Sequence, residues 1–227
     1  MDDKIILICA IGRSGSTTLE LILNTIPDSN ICGENNGAIN HLLEFYREVK
    51  FTYKKLQFEY KGFSQEEREQ ILKLFAKGIK PAWFNTFEFD KIKTCVQNTI
   101  IAMFKLKETT NVWGFKEIRY DGKLNLLKEF RELFPQTKVI LNIRGDIQKQ
   151  SKSSWFKEDP RSLQKIKTQS EAIIEFYNSN RDLCFLNTLE KMYNKEHMEK
   201  LFQFIDCHEF FDEDKIKKIL LHTKESR

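Results

Sequence analysis

Lys4–Ile11 is an unbroken, almost wholly apolar run of strand length, and the turn Gly12-Arg13-Ser14-Gly15 follows it with no spacer. A run without polar alternation is what a strand covered on both faces requires. Directly after the turn, Ser16–Ile26 carries Leu19, Leu21, Ile22, Leu23 and Ile26 in a helical pattern that Pro27 closes. No other segment constrains the fold as much. A strand buried on both faces needs neighbours on both edges and a layer above and below.

The rest of the chain supplies those neighbours. Asn30–Cys32 reads as a short second strand, followed by the turn Gly33-Glu34-Asn35-Asn36-Gly37 and a helix from Ala38 to about Val49. Val112–Ile118 and Lys138–Ile143 read as two further core strands, and Cys184–Leu186 as a short one. Helices are expected over about 91–108, over Leu124–Phe134 up to Pro135, over 146–156 and 161–180, and twice more towards the end. Residues 50 to 90 are less regular. They hold a helix from Ser64 to Lys77, opened by the capping box Ser64-x-x-Glu67, and the aromatic stretch Pro81–Phe89. Strands alternating with helices predict a three-layer α/β fold, a central parallel β-sheet flanked by helices. With no repeat, low-complexity tract or Pro/Gly-rich linker, residues 1–227 read as a single domain.

Composition narrows the function classes. Hydrophobic residues at 41% and charged residues at 31% suit a globular chain rather than a disordered one. The net charge of +4 is spread as alternating Lys and Glu along the helices, which argues against a nucleic-acid binder. The apolar run near the start is too short for a membrane span and has the wrong flanks for a signal peptide. Five cysteines are odd in number and scattered, and the four histidines show no ligand spacing. No disulfide and no metal site is expected, and a reducing, cytoplasmic setting is.

The chemistry resides in the first turn. Gly12 and Gly15 let the backbone turn tightly, so that several N–H groups and a helix N-terminus converge on an anion. The hydroxyls of Ser14, Ser16, Thr17 and Thr18 add donors, and Arg13 adds a charge that can fork onto phosphate or sulfonate oxygens. This is not Gly-x-x-x-x-Gly-Lys-Ser/Thr, because the glycines are closer and no Lys follows the second one. Nor is it the Gly-x-Gly-x-x-Gly of dinucleotide folds.

Arg13-Ser14-Gly15-Ser16-Thr17 resembles the 5′-phosphosulfate loop of sulfotransferases, in the version with Arg where cytosolic members carry Lys. Three later segments agree in order. Val112-Trp113-Gly114-Phe115-Lys116-Glu117 resembles the family's Gly-x-Lys strand. Phe134–Arg144 resembles the strand whose terminal Arg binds a 3′-phosphate. Leu201–Asp206 with Phe211–Ile216 resembles the closing helical pair. The resemblance spans nearly the whole chain except about 50–110, which is the expected acceptor-side or lid segment. It implies a P-loop NTPase-like topology and transfer of a sulfuryl group from 3′-phosphoadenosine 5′-phosphosulfate (PAPS). The acceptor would be a hydroxyl or amine of a small molecule, carbohydrate or peptide, and 3′-phosphoadenosine 5′-phosphate (PAP) would be released.

It implies residue roles too. Gly12, Arg13, Ser14, Gly15, Ser16, Thr17 and Thr18 would hold the 5′-phosphosulfate, and Arg144 the 3′-phosphate. The family's serine eight residues beyond that Arg is replaced by Lys152, so Ser151 and Ser153 are the two candidates for that contact. Arg13 would stabilise charge on the bridging oxygen, and Lys116 would assist the transferring group. Glu34, at the carboxyl edge of the sheet, is the candidate general base; capping of the next helix is the competing role. Of the histidines, only His41 lies near this site in sequence. Trp83, Phe84, Phe87 and Phe89 would line an acceptor pocket or join the core. Two rival functions stay open: a nucleotide kinase or phosphotransferase, and an inactive PAP-binding module.

Overall fold

The computed structural model describes residues 3–59, 64–77, 87–120 and 122–225. Five strands, β1 (Lys4–Ala10), β2 (Ser29–Cys32), β3 (Val112–Glu117), β4 (Lys138–Ile143) and β5 (Cys184–Thr188), form one parallel sheet in the order β2-β3-β1-β4-β5. The central parallel sheet flanked by helices is the expected architecture.

Side-chain alternation along β1 explains both layers. Ile5, Leu7, Cys9 and Ile11 enter one core, and Ile6, Ile8 and Ala10 enter the other. The first core is closed by α2 (Ala38–Glu59), α4 (Phe89–Phe104), α5 (Leu126–Leu133) and α7 (Ser162–Asn178), through residues such as Leu43, Ile100, Phe130 and Ile173. The second is closed by α1 (Ser16–Leu23), α8 (Lys195–Phe204) and α9 (Glu213–Glu225), through Leu19, Phe202 and Ile216. Each fully buried Leu, Ile or Phe here contributes about 1.5–3 kcal/mol relative to an exposed one. β3 lies so close to β1 that a Cβ on Gly114 would fall 1.8 Å from the Ile6 carbonyl oxygen. Only glycine fits there.

Two expectations need correction. α2 does not stop near Val49 but runs on to Glu59. No Gly or Pro interrupts it, and Tyr46 and Tyr53 both stack on Phe89, with ring centroids 5.9 and 4.8 Å apart. The helix expected over 146–156 is two pieces: α6 (Ile147–Ser151), then a 3-10 turn over Ser154–Glu158. Ser154, the first residue of that turn, takes φ +52°, which an α-helix continuing from Ser151 does not accommodate. The remaining helix, α3 (Gln65–Ala76), opens with the expected reciprocal cap: Ser64 N donates to Glu67 Oε2 at 2.7 Å and Glu67 N to Ser64 Oγ at 3.2 Å.

The topology fixes where a ligand can sit. The chain leaves β1 through α1 towards β2 on one side, and leaves β4 through α7 towards β5 on the other. Loops that part in opposite directions open a crevice at the carboxyl ends of β1 and β4.

Candidate active site

The β1–α1 loop forms the floor of that crevice. Ser14 N closes the turn onto Ile11 O at 3.2 Å, and the chain passes through left-handed conformations at Arg13 (φ +63°) and Gly15 (φ +83°). A Cβ on Gly15 would meet Leu189 Cδ1 at 2.6 Å, so both conformation and space demand glycine. Ser14, Ser16 and Thr18 are buried, whereas Arg13 and Thr17 are exposed. The first-turn amides of a helix have no carbonyl partner within it, so the start of α1 beside this loop favours an anion.

On the β3 side, alternation sends Lys116 and Glu117 to opposite faces. Lys116, only 5% exposed, turns towards α1. Its Nζ donates to Thr17 Oγ1 and Glu34 Oε1, each at 3.1 Å, and lies 3.4 Å from Glu20 Oε2. Glu34 Oε2 accepts from Arg119 Nη1 at 2.9 Å, so both oxygens of Glu34 face cations. Glu34 does not cap α2; Asn35 does, its Oδ1 accepting from Ile39 N at 3.1 Å. Glu117 is fully buried. It accepts from the amides of Gly37 (2.9 Å), Asn35 (3.2 Å), Ile118 (2.8 Å) and Arg119 (3.1 Å), and from Arg119 Nη1 at 3.0 Å. Burial pushes its pKa up, but these donors and the Arg119 charge outweigh that and hold the carboxyl below its ordinary value. Glu117 thereby ties the β2–α2 turn, which carries Glu34, to the end of β3.

On the β4 side, Arg144 is buried behind the loop. Its Nη1 donates to Arg13 O at 3.3 Å, and its Nε has no partner. The competing idea of a surface pair with Asp146 does not describe it, because Asp146 caps α6 by accepting from Lys149 N at 2.8 Å. Glu190 receives the amides of Gly145 at 2.9 Å and Asp146 at 3.3 Å. Burial works to raise its pKa, but those amides and the charge of Arg144 bring it below the ordinary value. Gln150, fully buried, donates to Gly12 O at 2.7 Å and leaves its Oε1 unpartnered.

The structure thus brings Arg13, Glu34, Lys116 and Arg144 to one sheet edge. Ser151 and Ser153 lie just beyond Arg144, with their hydroxyls bonded back to Gln148 O (2.9 Å) and Gln150 O (2.7 Å). His41 is exposed on α2 and pairs with Glu44 at 3.5 Å. The histidine connected to the loop is instead His197, through Asn187 and Asn142. Sequence reading missed these three, along with Gln150 and Arg119, because nothing local marks them. Trp83 and Phe84 fall outside the described residues, and Phe89 packs on α2. A different aromatic reaches the loop: a Cβ on Gly12 would lie 2.9 Å from the ring of half-exposed Trp155 and 3.6 Å from Ile118 Cδ1. Ile118 also lines a cavity of about 360 Å³ at the ends of β1 and β3, together with Ile11, Tyr120, Ile173, Phe176 and Asn180. Among the described residues there is no metal-ligand cluster, and no helix is long and apolar enough to cross a membrane.

Comparison with known proteins accords with this geometry. The sulfotransferase domain of the Synechococcus PCC 7002 olefin synthase superposes with a TM-score of 0.52 at 16% identity, over 94% of this chain and 76% of that one. A sulfotransferase domain from the curacin biosynthetic pathway gives 0.47 at 17% identity, over 91% and 74%. No curated protein matches the sequence significantly. The first of these likenesses establishes a shared fold. The sequence model of the Sulfotransferase family matches residues 6–185, which include the loop, β3 and the Arg144 strand, and the chain belongs to that family.

Proposed function

We propose that the protein transfers a sulfuryl group from PAPS to a hydroxyl or amine of a small-molecule, carbohydrate or peptide acceptor. The observation that carries this reading is Arg144, a buried guanidinium behind the loop whose Nε lacks a partner. A buried charge with an unused donor is stabilised by an anion, and a 3′-phosphate is the anion that separates PAP from ordinary nucleotides. The family and fold point the same way. The residues present therefore fit the donor. Its 5′-phosphosulfate would be held by Gly12–Thr18 and its 3′-phosphate by Arg144, with Ser151 or Ser153 turning to join.

When bound, the donor supplies a sulfonate on a good phosphate leaving group. The acceptor atom bonds to sulfur as the bridging sulfur–oxygen bond breaks, and the electron pair leaves on the phosphate. Arg13, exposed at the loop's apex, meets that growing charge. Lys116 lies between Thr17 and Glu34, so turning it to the sulfonate frees Glu34 Oε1 to take the acceptor's proton. Positioning and fixed charge suffice, as in phosphoryl transfer, and the proposal includes no metal. The acceptor would enter through the cavity beside Ile118, whose apolar wall and polar rim suit a small amphipathic molecule.

Calorimetric titration with PAP in the absence of magnesium, with ADP as control, tests the assignment. Tight PAP binding that ADP does not match, and that Arg144→Ala weakens, is the expected result. Equal, magnesium-dependent ADP binding would transfer the protein to the kinase reading.

A further inference from the structure

Two consecutive residues after β5 touch both halves of the crevice. Leu189, 8% exposed, lies against Gly15 of the β1–α1 loop, where an added Cβ would meet its Cδ1 at 2.6 Å. Glu190, which opens a short 3-10 turn over Glu190–Tyr193, reaches the β4 side instead. Its Oε2 accepts from Gly145 N at 2.9 Å and its Oε1 from Asp146 N at 3.3 Å. An added Cβ on Gly145 would meet Oε2 at 3.2 Å, so the carboxylate lies close over the turn. Leu189 N, 3.3 Å from Ile143 O, ties the pair to the end of β4.

Gly12–Thr18 and Arg144 belong to different connections of the sheet, and a nucleotide with a phosphate at each end must meet both at once. A small misplacement of either weakens the whole contact. The side chain of Arg144 reaches the loop through a bond of 3.3 Å from its Nη1 to Arg13 O. Its backbone runs straight into Gly145, and glycine restrains a chain less than any other residue. Glu190 supplies the restraint that the sequence at that turn lacks. A carboxylate that accepts from two consecutive amides makes charge-assisted bonds and stops the peptide between them from rotating.

We infer that Glu190, seated by Leu189 against Gly15, is a positioning residue that sets the placement of Arg144 relative to the β1–α1 loop for the donor's 3′-phosphate. It acts through the Arg144-Gly145-Asp146 backbone and touches no ligand. The inference rests on the reading of the crevice as a PAPS site.

The test is a double-mutant cycle on PAP affinity, measured by calorimetry for the wild type, Glu190→Ala, Arg144→Ala and the pair. Glu190 is exposed and water can reach the amides it leaves, so the fold should survive; circular dichroism melts check this. Glu190→Ala alone is expected to weaken PAP about three- to tenfold, the net worth of one hydrogen bond. With Arg144 already replaced, the same change should cost less than about twofold, because the group it places is gone. An equal cost in both backgrounds marks a merely structural contact and overturns the inference. Tighter PAP binding by Glu190→Ala overturns it too, since the carboxylate would then repel the 3′-phosphate rather than place its partner. If Glu190→Ala does not fold, Glu190→Gln, which keeps one accepting oxygen, takes its place in the cycle with the same outcomes. A readout without ligand runs in parallel: amide exchange followed by NMR should speed up at Gly145 and Asp146 in the variant, and unchanged exchange there refutes the restraint. If the wild-type protein binds no PAP, the proposed function fails and this inference with it; if it binds and the cycle is additive, only the role of Glu190 fails.

Discussion

The crevice and the layer formed by α2 and α4 are built from different bonds. Around the loop, buried polar groups hold each other at fixed distances: Ser14 to Asn142, Gly12 to Gln150, Arg13 to Arg144 and Lys116 to Glu34. Across α2 and α4, the contacts are mainly apolar: Leu43, Val96 and Ile100 in the core and ring stacks of Tyr46 and Tyr53 on Phe89, with an ion pair of Lys50 to Glu129 and Glu132 at the seam with α5. A polar network admits one arrangement, because each misplaced atom leaves another unpaired. Stacked rings slide and accept other apolar partners at little loss. One side specifies geometry, whereas the other supplies a surface that can be redrawn.

Substitutions can break this contrast. The largest effect is expected at Arg13, where Arg13→Ala should lower the turnover of sulfuryl transfer about 10²–10³-fold with the melting temperature unchanged, as seen when one charge-stabilising donor is removed. Arg144→Ala should weaken PAP about tenfold to a hundredfold by calorimetry, the range for losing hydrogen bonds to a charged group, with smaller loss of turnover at saturating donor. On the other side, Phe89→Ala should destabilise the fold by about 1–3 kcal/mol in urea melts while PAP affinity holds. Equal losses of PAP affinity at Phe89 and Arg144 would erase the distinction. A fourth expectation concerns acid. The low pKa of His197 means the unfolded chain binds more protons, so stability falls as pH drops from 6.5 towards 4. Glu117, whose native pKa is held below the ordinary carboxylate value, continues the fall at lower pH. Melts across pH 4–7 check the first part, and His197→Gln should flatten it. The smallest effect is expected for Lys50→Ala, about 1 kcal/mol or less, as for partly solvated ion pairs.

Sequence patterns showed most of the sheet, because a strand buried on both faces has few alternatives to a continuous apolar run. β4 matches its expected bounds, and β1, β2 and β3 differ by one residue at an end. What escaped depends on contacts between distant segments. Nothing in residues 50–59 announces that Phe89 will support the end of α2, and nothing in Ser153-Ser154-Trp155 demands the left-handed turn at Ser154. The same divide runs through the site. Arg13, Glu34 and Arg144 follow strand ends and Lys116 lies one residue before the end of β3, where a parallel sheet gathers side chains from separate segments. Asn142 and Asn187 sit inside strands and His197 on a helix, so their polar character alone could not say that they meet.

Trp155 has a practical consequence. Of the two tryptophans in the described residues, Trp113 is sealed in the core, while Trp155 is half in water with its ring against Gly12. Its emission colour and quenching by iodide depend on how the loop beneath it is arranged and what shields it. The protein thus carries an intrinsic optical reporter against the β1–α1 loop. If PAP binds in that loop as proposed, its arrival can be followed in real time by stopped-flow fluorescence, without a dye, a tag or a labelled nucleotide.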